Sequence, residues 1–228
     1  MTAIAGDADT AWLTCFPEQD VASVVAYVAA SWAELAARYP RAHHAGEREP
    51  VLTKSLADYL DDPSRRRTVA LGGRFHAERP INYRRGGGKP KQLGRTDVEY
   101  HYPASGSAAL TLEFKKLQGK TSCRNAYRNS GITRFLAGPY APNEPSGVMC
   151  GMVTVDVASE VDAMRASLTR CQKRLACITS SDGSIASDTQ EIPPDALLFE
   201  TNHKKSGGAG QIRLSHLFVP LAVAPPHS

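Results

Sequence analysis

The residues of this chain with the most chemical promise are two acids and a lysine, Asp97, Glu113 and Lys115. They fall in two short segments, 95–102 and 110–115, in which apolar and polar residues alternate as in half-buried strands. The link 103–107, rich in Pro, Ser and Gly, reads as a hairpin loop. In the second segment Leu110, Leu112 and Phe114 point one way, and Glu113 and Lys115 point the other. In the first, Thr96, Val98, Tyr100 and Tyr102 share one face, and Asp97 shares the other with Glu99. A loop symmetric about Ser105 sets Asp97 opposite Glu113, with Cβ atoms about 4.5–5.5 Å apart. Carboxylates that close repel unless a cation or a shared proton lies between them. The expectation is a divalent metal, Mg²⁺ with Mn²⁺ as substitute, and an ammonium beside it: an arrangement suited to cutting phosphodiesters. The competing expectation is plain ion pairing across the strands, with Lys115 and Arg95 as the bases.

Asp97, fifteen intervening residues and then Glu113-Phe114-Lys115 resembles the D…(D/E)xK signature of the PD-(D/E)XK nuclease superfamily, the restriction-endonuclease-like fold. The likeness covers residues from about 47 to 218. Thr96 stands where the family name has proline. The resemblance implies metal held by Asp97, Glu113 and the Phe114 carbonyl, with Lys115 assisting the attacking water. It also implies a glutamate on the first core helix, here Glu49 with Glu47 as fallback. Tyr127 and Arg134, seven residues apart on one helix, would touch phosphate or substrate, and Lys116 joins them.

These groups need elements to hold them. Apolar residues from Val21 to Leu35 recur at helical spacing, predicting a helix over 19–37; Leu52, Leu56 and Leu60 predict another over 49–60. Residues 68–79 read as a strand kinked at Gly72-Gly73, 84–94 as a Gly- and Lys-rich loop, and 124–136 as a helix. The run 148–157 reads as a buried central strand, 161–175 as a helix, and 197–201 and 212–219 as closing strands around a loop at 203–210. His203, in that loop, is placed at the surface, and His216 at the edge of the core. The expected fold class is α/β, a mixed central β-sheet flanked by helices, with a restriction-endonuclease-like αβββαβ core. One domain is expected over 1–228, with 1–45 as an N-terminal helical extension and 46–220 as the core.

Composition fits an ordinary globular chain: 228 residues, 42% hydrophobic and 22% charged. The net charge of +4 gathers in basic runs at Arg65-Arg66-Arg67, Arg84-Arg85, Lys89 and Lys91, and again at Lys115-Lys116 and Lys120. A phosphate-binding face or a solvated surface would both look like this. Five cysteines without CxxC spacing suggest neither a disulfide framework nor a zinc site. No signal-peptide pattern opens the chain, and 21–37 reads as too polar to span a membrane, so a cytoplasmic location with no membrane partner is expected. Gly119-Lys120-Thr121-Ser122 lacks the glycine a P-loop needs, because position 114 is Phe114. No GxSxG elbow is present. The expected partner is nucleic acid, DNA ahead of RNA, cut in a bacterial defence or restriction setting. A homodimer or a larger defence complex is open. The alternative is a catalytically inactive nuclease-like module that binds nucleic acid or protein.

Overall fold

The computed structural model describes residues 16–69, 71–77, 80–83, 91–101, 108–137, 140, 144–208 and 210–222. Its frame is an eight-stranded mixed sheet flanked by helices. The strands are β1 (Arg74–Ala77), β4 (Val98–His101), β5 (Ala109–Leu117), β6 (Ser146–Val153), β7 (Cys177–Ile178), β8 (Gln190–Ile192), β9 (Ala196–Lys204) and β10 (Gln211–Pro220). They run in the order β1-β4-β5-β6-β10-β9-β7, with β8 also paired to β9. β1, β4 and β5 are antiparallel, whereas β5, β6 and β10 are parallel. A separate ribbon pairs β2 (Pro80–Tyr83) with β3 (Lys91–Arg95).

The hairpin register matches the expectation: Val98 pairs with Leu112 and Tyr100 with Leu110, so one step further sets Asp97 opposite Glu113. A one-residue slip would have turned Glu113 into the apolar face.

Helices α1 (Glu18–Arg38) and α2 (Glu49–Leu60) cover one face of the sheet. There Trp32, Leu52 and Leu56 meet Tyr100, Leu112 and Phe114. On the other face lies one long helical segment made of α4 (Thr121–Ala126), a π-helical stretch (Tyr127–Ile132) and α5 (Thr133–Ala137). Together with α6 (Val157–Arg170) it packs Tyr127, Ile132, Phe135 and Met164 on Met149, Phe199 and Phe218. Helix α1 is the one described helix long and apolar enough, by composition, to cross a membrane. Val24, Val25, Val28 and Trp32 are nevertheless committed to the protein core.

Several expectations need correction. Of the expected strand over 68–79, the described residues form only β1 over 74–77, and Thr68 ends a helix, α3 (Pro63–Thr68). Asp62 caps it by accepting from the Ser64 and Arg65 amides, and Pro63 at the first position needs no partner for a missing N–H. Part of the expected loop 84–94 is strand β3, and 84–90 lie outside the described residues. Helix α6 starts at Val157, not 161, because Asp156 accepts from the Ser159 amide and closes the first turn. Strand β9 runs on to Lys204, which puts His203 inside the sheet and buried rather than in a surface loop. The basic run on α3 is not a free phosphate-binding face. Arg65 pairs with Glu34 at 2.6 Å and lies over the Tyr59 ring, while Arg66 is buried and donates to the Asp61 and Gly73 carbonyls.

Candidate active site

Glu113 sits in the middle of β5 opposite Met149 of β6, and its carboxylate is fully buried. The π-helical stretch lies directly over it. Gly131 makes that approach feasible, since a Cβ there would stand 2.4 Å from Met149 Cε and 3.9 Å from Glu113 Cγ. π-helical turns occur often at functional sites.

Two cations meet one oxygen of this carboxylate. Lys115 Nζ lies 2.8 Å and Arg134 Nη1 2.9 Å from Glu113 Oε1. Glu113 Oε2 is buried and has no hydrogen-bond partner. A buried unpaired carboxylate oxygen is costly, and native sites that retain one usually have a use for it.

Asp97 stands in the bend just before β4, and its Oδ2 accepts the Phe114 amide at 2.8 Å. Burial pushes its carboxyl up to about 7, and the charges of Glu113 and Glu49 push the same way, against the pull of Lys115 and the Phe114 amide. The facing acids therefore do repel one another across the hairpin.

Glu49 opens α2, where a carboxylate also suits the helix dipole. Its first turn is pinned by the Thr53 hydroxyl, which donates to the Glu49 carbonyl at 3.2 Å. Lys115 Nζ donates to Glu49 Oε1 at 3.1 Å and to the Phe114 carbonyl at 2.7 Å, and the Lys116 amide donates to Glu49 Oε2 at 3.0 Å. Burial alone would lower the proton affinity of Lys115. Glu113, Glu49 and Asp97 outweigh it and raise the lysine above its ordinary value. Lys115 is therefore an ammonium, a donor and a charge, not a base.

Of the residues singled out in the sequence, Asp97, Glu113, Lys115, Glu49, Arg134 and the Phe114 carbonyl come together. Tyr127 does not. It is fully buried, its hydroxyl lies 3.0 Å from His216 Nδ1 and 3.2 Å from the Met149 carbonyl, and its ring stacks on Phe218. The sheet-facing stripe of a helix is its buried stripe, and only the Arg134 end of it reaches the acids. Lys116 is close but occupied, since its Nζ donates to the Ala45 and Glu47 carbonyls at 2.6 Å each and holds the turn before α2. The side chain of Arg95 lies outside the described residues; the bases on Glu113 are Lys115, from the same strand, and Arg134.

Tyr140 was missed. It is buried, and its hydroxyl accepts from Arg134 Nη1 at 2.8 Å. Nothing in the Pro- and Asn-rich stretch around it signals that contact.

Two concavities lie elsewhere. One of about 390 Å³ opens beside Ser180, Asp182, Glu200 and Asn202, and another of about 300 Å³ beside Val157, Pro193 and Leu197.

The residues fit a hard divalent cation. Asp97 and Glu113 offer carboxylate oxygens, one of them unpaired, and the repulsion between the acids is what such an ion would relieve. Among the described residues no group of three or more His, Cys, Asp or Glu side chains could cage a metal. Mg²⁺, which keeps most of its water and uses one or two carboxylates, suits such a site better than zinc does.

No family model matches this sequence, and neither a curated protein nor a solved structure is similar to it.

Proposed function

We propose that the protein is a Mg²⁺-dependent nuclease of the restriction-endonuclease-like fold, hydrolysing phosphodiester bonds in nucleic acid, DNA ahead of RNA. One observation carries the reading: Asp97 and Glu113 meet beside Lys115 and leave Glu113 Oε2 buried without a partner. The order of elements around it supports the fold assignment. A helix bearing Glu49 precedes an antiparallel three-strand unit ending in β5, and a helical crossover leads to a parallel strand, β6.

Asp97, Glu113 and the Phe114 carbonyl would hold the ion. When bound, it would polarise the scissile phosphate and acidify a water. Lys115 does the rest from a fixed position. Glu113, Glu49 and the Phe114 carbonyl hold its ammonium, so it presents a full charge to the extra negative charge that builds up on phosphorus oxygens in the transition state. Glu49 sets the height of Lys115 over the strand and fixes the Lys116 amide.

The test is degradation of supercoiled and linear DNA, with RNA in parallel, under Mg²⁺ or Mn²⁺. Cleavage that EDTA stops and that Asp97→Asn abolishes is the expected result. A second reading, a catalytically inactive nucleic-acid or protein binding module, draws on the two cations that already neutralise Glu113 Oε1. It predicts salt-sensitive retention of nucleic acid with no products under any metal.

A further inference from the structure

Arg134 is held differently from Lys115, although both touch the same carboxylate oxygen. Lys115 has three acceptors: Glu113, Glu49 and the Phe114 carbonyl. Its side chain is 13% exposed. Arg134 has one charged partner, Glu113, and one neutral partner, the Tyr140 hydroxyl; its side chain is 40% exposed. Its guanidinium also lies over the Tyr140 ring, 5.4 Å from the centroid.

The charges decide which group must move. Three carboxylates (Glu49, Asp97, Glu113) and two bases (Lys115, Arg134) sum to −1, and a divalent cation on Glu113 would change that to +1. The surplus positive charge falls on the base with fewest other partners and the shortest path to solvent. That base is Arg134.

We propose that Arg134 is an exchangeable guanidinium: it guards Glu113 in the cation-free protein, and it turns to a substrate phosphate when a divalent cation takes the carboxylate. The proposal rests on the nuclease reading and specifies how that site couples cation loading to substrate capture. Tyr140 is the pivot. Its hydroxyl and ring keep the guanidinium at the rim of the site in both positions, and a planar fork that grips a carboxylate grips a phosphodiester as well. An unloaded site would therefore hold nucleic acid weakly, because its most accessible cation is spent on Glu113.

The test separates exchange from a merely orienting role. Mn²⁺ binding is measured by calorimetry without nucleic acid, and retention of a DNA duplex is measured in Ca²⁺, so neither readout is turnover. Arg134→Met removes a like charge from beside the ion, so Mn²⁺ should bind about fivefold tighter, as screening at a part-exposed site allows. DNA retention in Ca²⁺ should fall by about tenfold or more. Arg134→Lys keeps the charge and loses the fork, so its Mn²⁺ affinity should stay near wild type while DNA retention still drops; it also serves if the Met variant folds poorly. Weaker Mn²⁺ binding by Arg134→Met would show that the arginine orients Glu113 for the ion, and would overturn the exchange alone. Unchanged DNA retention would do the same. Wild-type protein that takes up no Mn²⁺ would overturn both the exchange and the nuclease reading.

Discussion

Replacing Asp97 with Asn should stabilise the fold while destroying the site. Asp97 is an acid whose proton affinity is raised in the folded chain, from 3.8 to about 7. At 1.36 kcal/mol per tenfold change, keeping it ionised above that pH costs about 4 kcal/mol. An asparagine of the same shape keeps an oxygen for the Phe114 amide and removes the charge that Glu113 and Glu49 oppose. That cost is already net of the attraction of Lys115, and an asparagine amide is a less perfect fit than a protonated carboxyl, so a gain of roughly 2–4 kcal/mol is expected at pH 8 in EDTA. For a chain of this size that raises Tm by ~6–12 °C. The pH dependence fixes the cause. Between pH 3.8 and about 7 the folded protein binds this proton more tightly than the unfolded chain does, so the acid's destabilising contribution grows as pH rises through that window and is complete above it. The Asn variant lacks the proton altogether. Its advantage over wild type should be near zero at pH 4 and reach its full size by pH 8. Urea unfolding of both proteins at pH 4.5, 6 and 8 in EDTA measures that gap. Saturating Mg²⁺ should then narrow it, by about 2.7 kcal/mol at a hundredfold excess over Kd, because only wild type can bind the ion. An Asn variant less stable than wild type at pH 8, or a gap that ignores pH, would refute the reasoning.

Lys115→Ala should cut single-turnover DNA cleavage by ~10²–10³, the size expected when one preorganised donor is removed; activity within threefold of wild type would remove it from the mechanism. Tyr127→Phe strips His216 Nδ1 of its hydroxyl partner and should cost about 1–3 kcal/mol in urea unfolding, with cleavage unchanged. His43 is buried against Trp32 with neither ring nitrogen partnered, and burial brings its proton affinity down to about 4. His43→Leu should therefore stabilise the protein by about 1–2 kcal/mol, and a loss on that change would mean the ring has a partner in solution. His203 and His216 are both lowered from 6.5, by burial first. The unfolded chain thus takes up protons before the folded one does, and stability should fall as pH drops below about 6.5. The Asp97→Asn background, free of the opposing contribution, shows this most cleanly, and a flat profile from pH 7 to 5.5 would contradict it.

The sequence made the hairpin legible because two local signals agreed. Strict alternation set the faces, and a Pro/Gly/Ser loop symmetric about one residue set the register, so the pairing of Val98 with Leu112 follows without tertiary information. Helix α2 was legible to its ends for the same reason, with leucines at four-residue spacing and Asp61-Asp62-Pro63 as a stop. Helix α3 was not, since its six residues are too few for periodicity and only the Asp62-Pro63 cap marks them. Glu49 could be named from its place at a helix start, but its link to Lys115 spans 66 positions and depends on how α2 docks. Arg134 was read as a substrate contact. Its bond to Glu113 could not be read at all, because it depends on how closely Gly131 lets the π-helical stretch approach the sheet.

Tyr127 shows why such a docking is beyond one-dimensional signals, and what fixes it. Its hydroxyl begins a buried chain of polar groups that crosses the core: His216, Thr201, His203 and the Leu175 carbonyl, with steps of 3.0, 2.7, 2.6 and 2.8 Å. The last group can only accept, so His203 carries its proton on Nδ1 and its Nε2 accepts from the Thr201 hydroxyl. Thr201 Oγ1 then accepts from His216 Nε2, which leaves His216 Nδ1 to accept from Tyr127. The Tyr127 hydroxyl also lies 3.2 Å from the Met149 carbonyl; both rings are neutral, and each ring nitrogen already has a partner. A network so completely specified tolerates one arrangement of its members. Those members lie on the long helical segment, β9, β10 and the turn after α6. It thereby holds the helical segment that ends in Arg134 at one height over the sheet that carries Glu113. Tyr127, expected at a substrate phosphate, is instead a buried member of this network and ties its helix to β9 and β10.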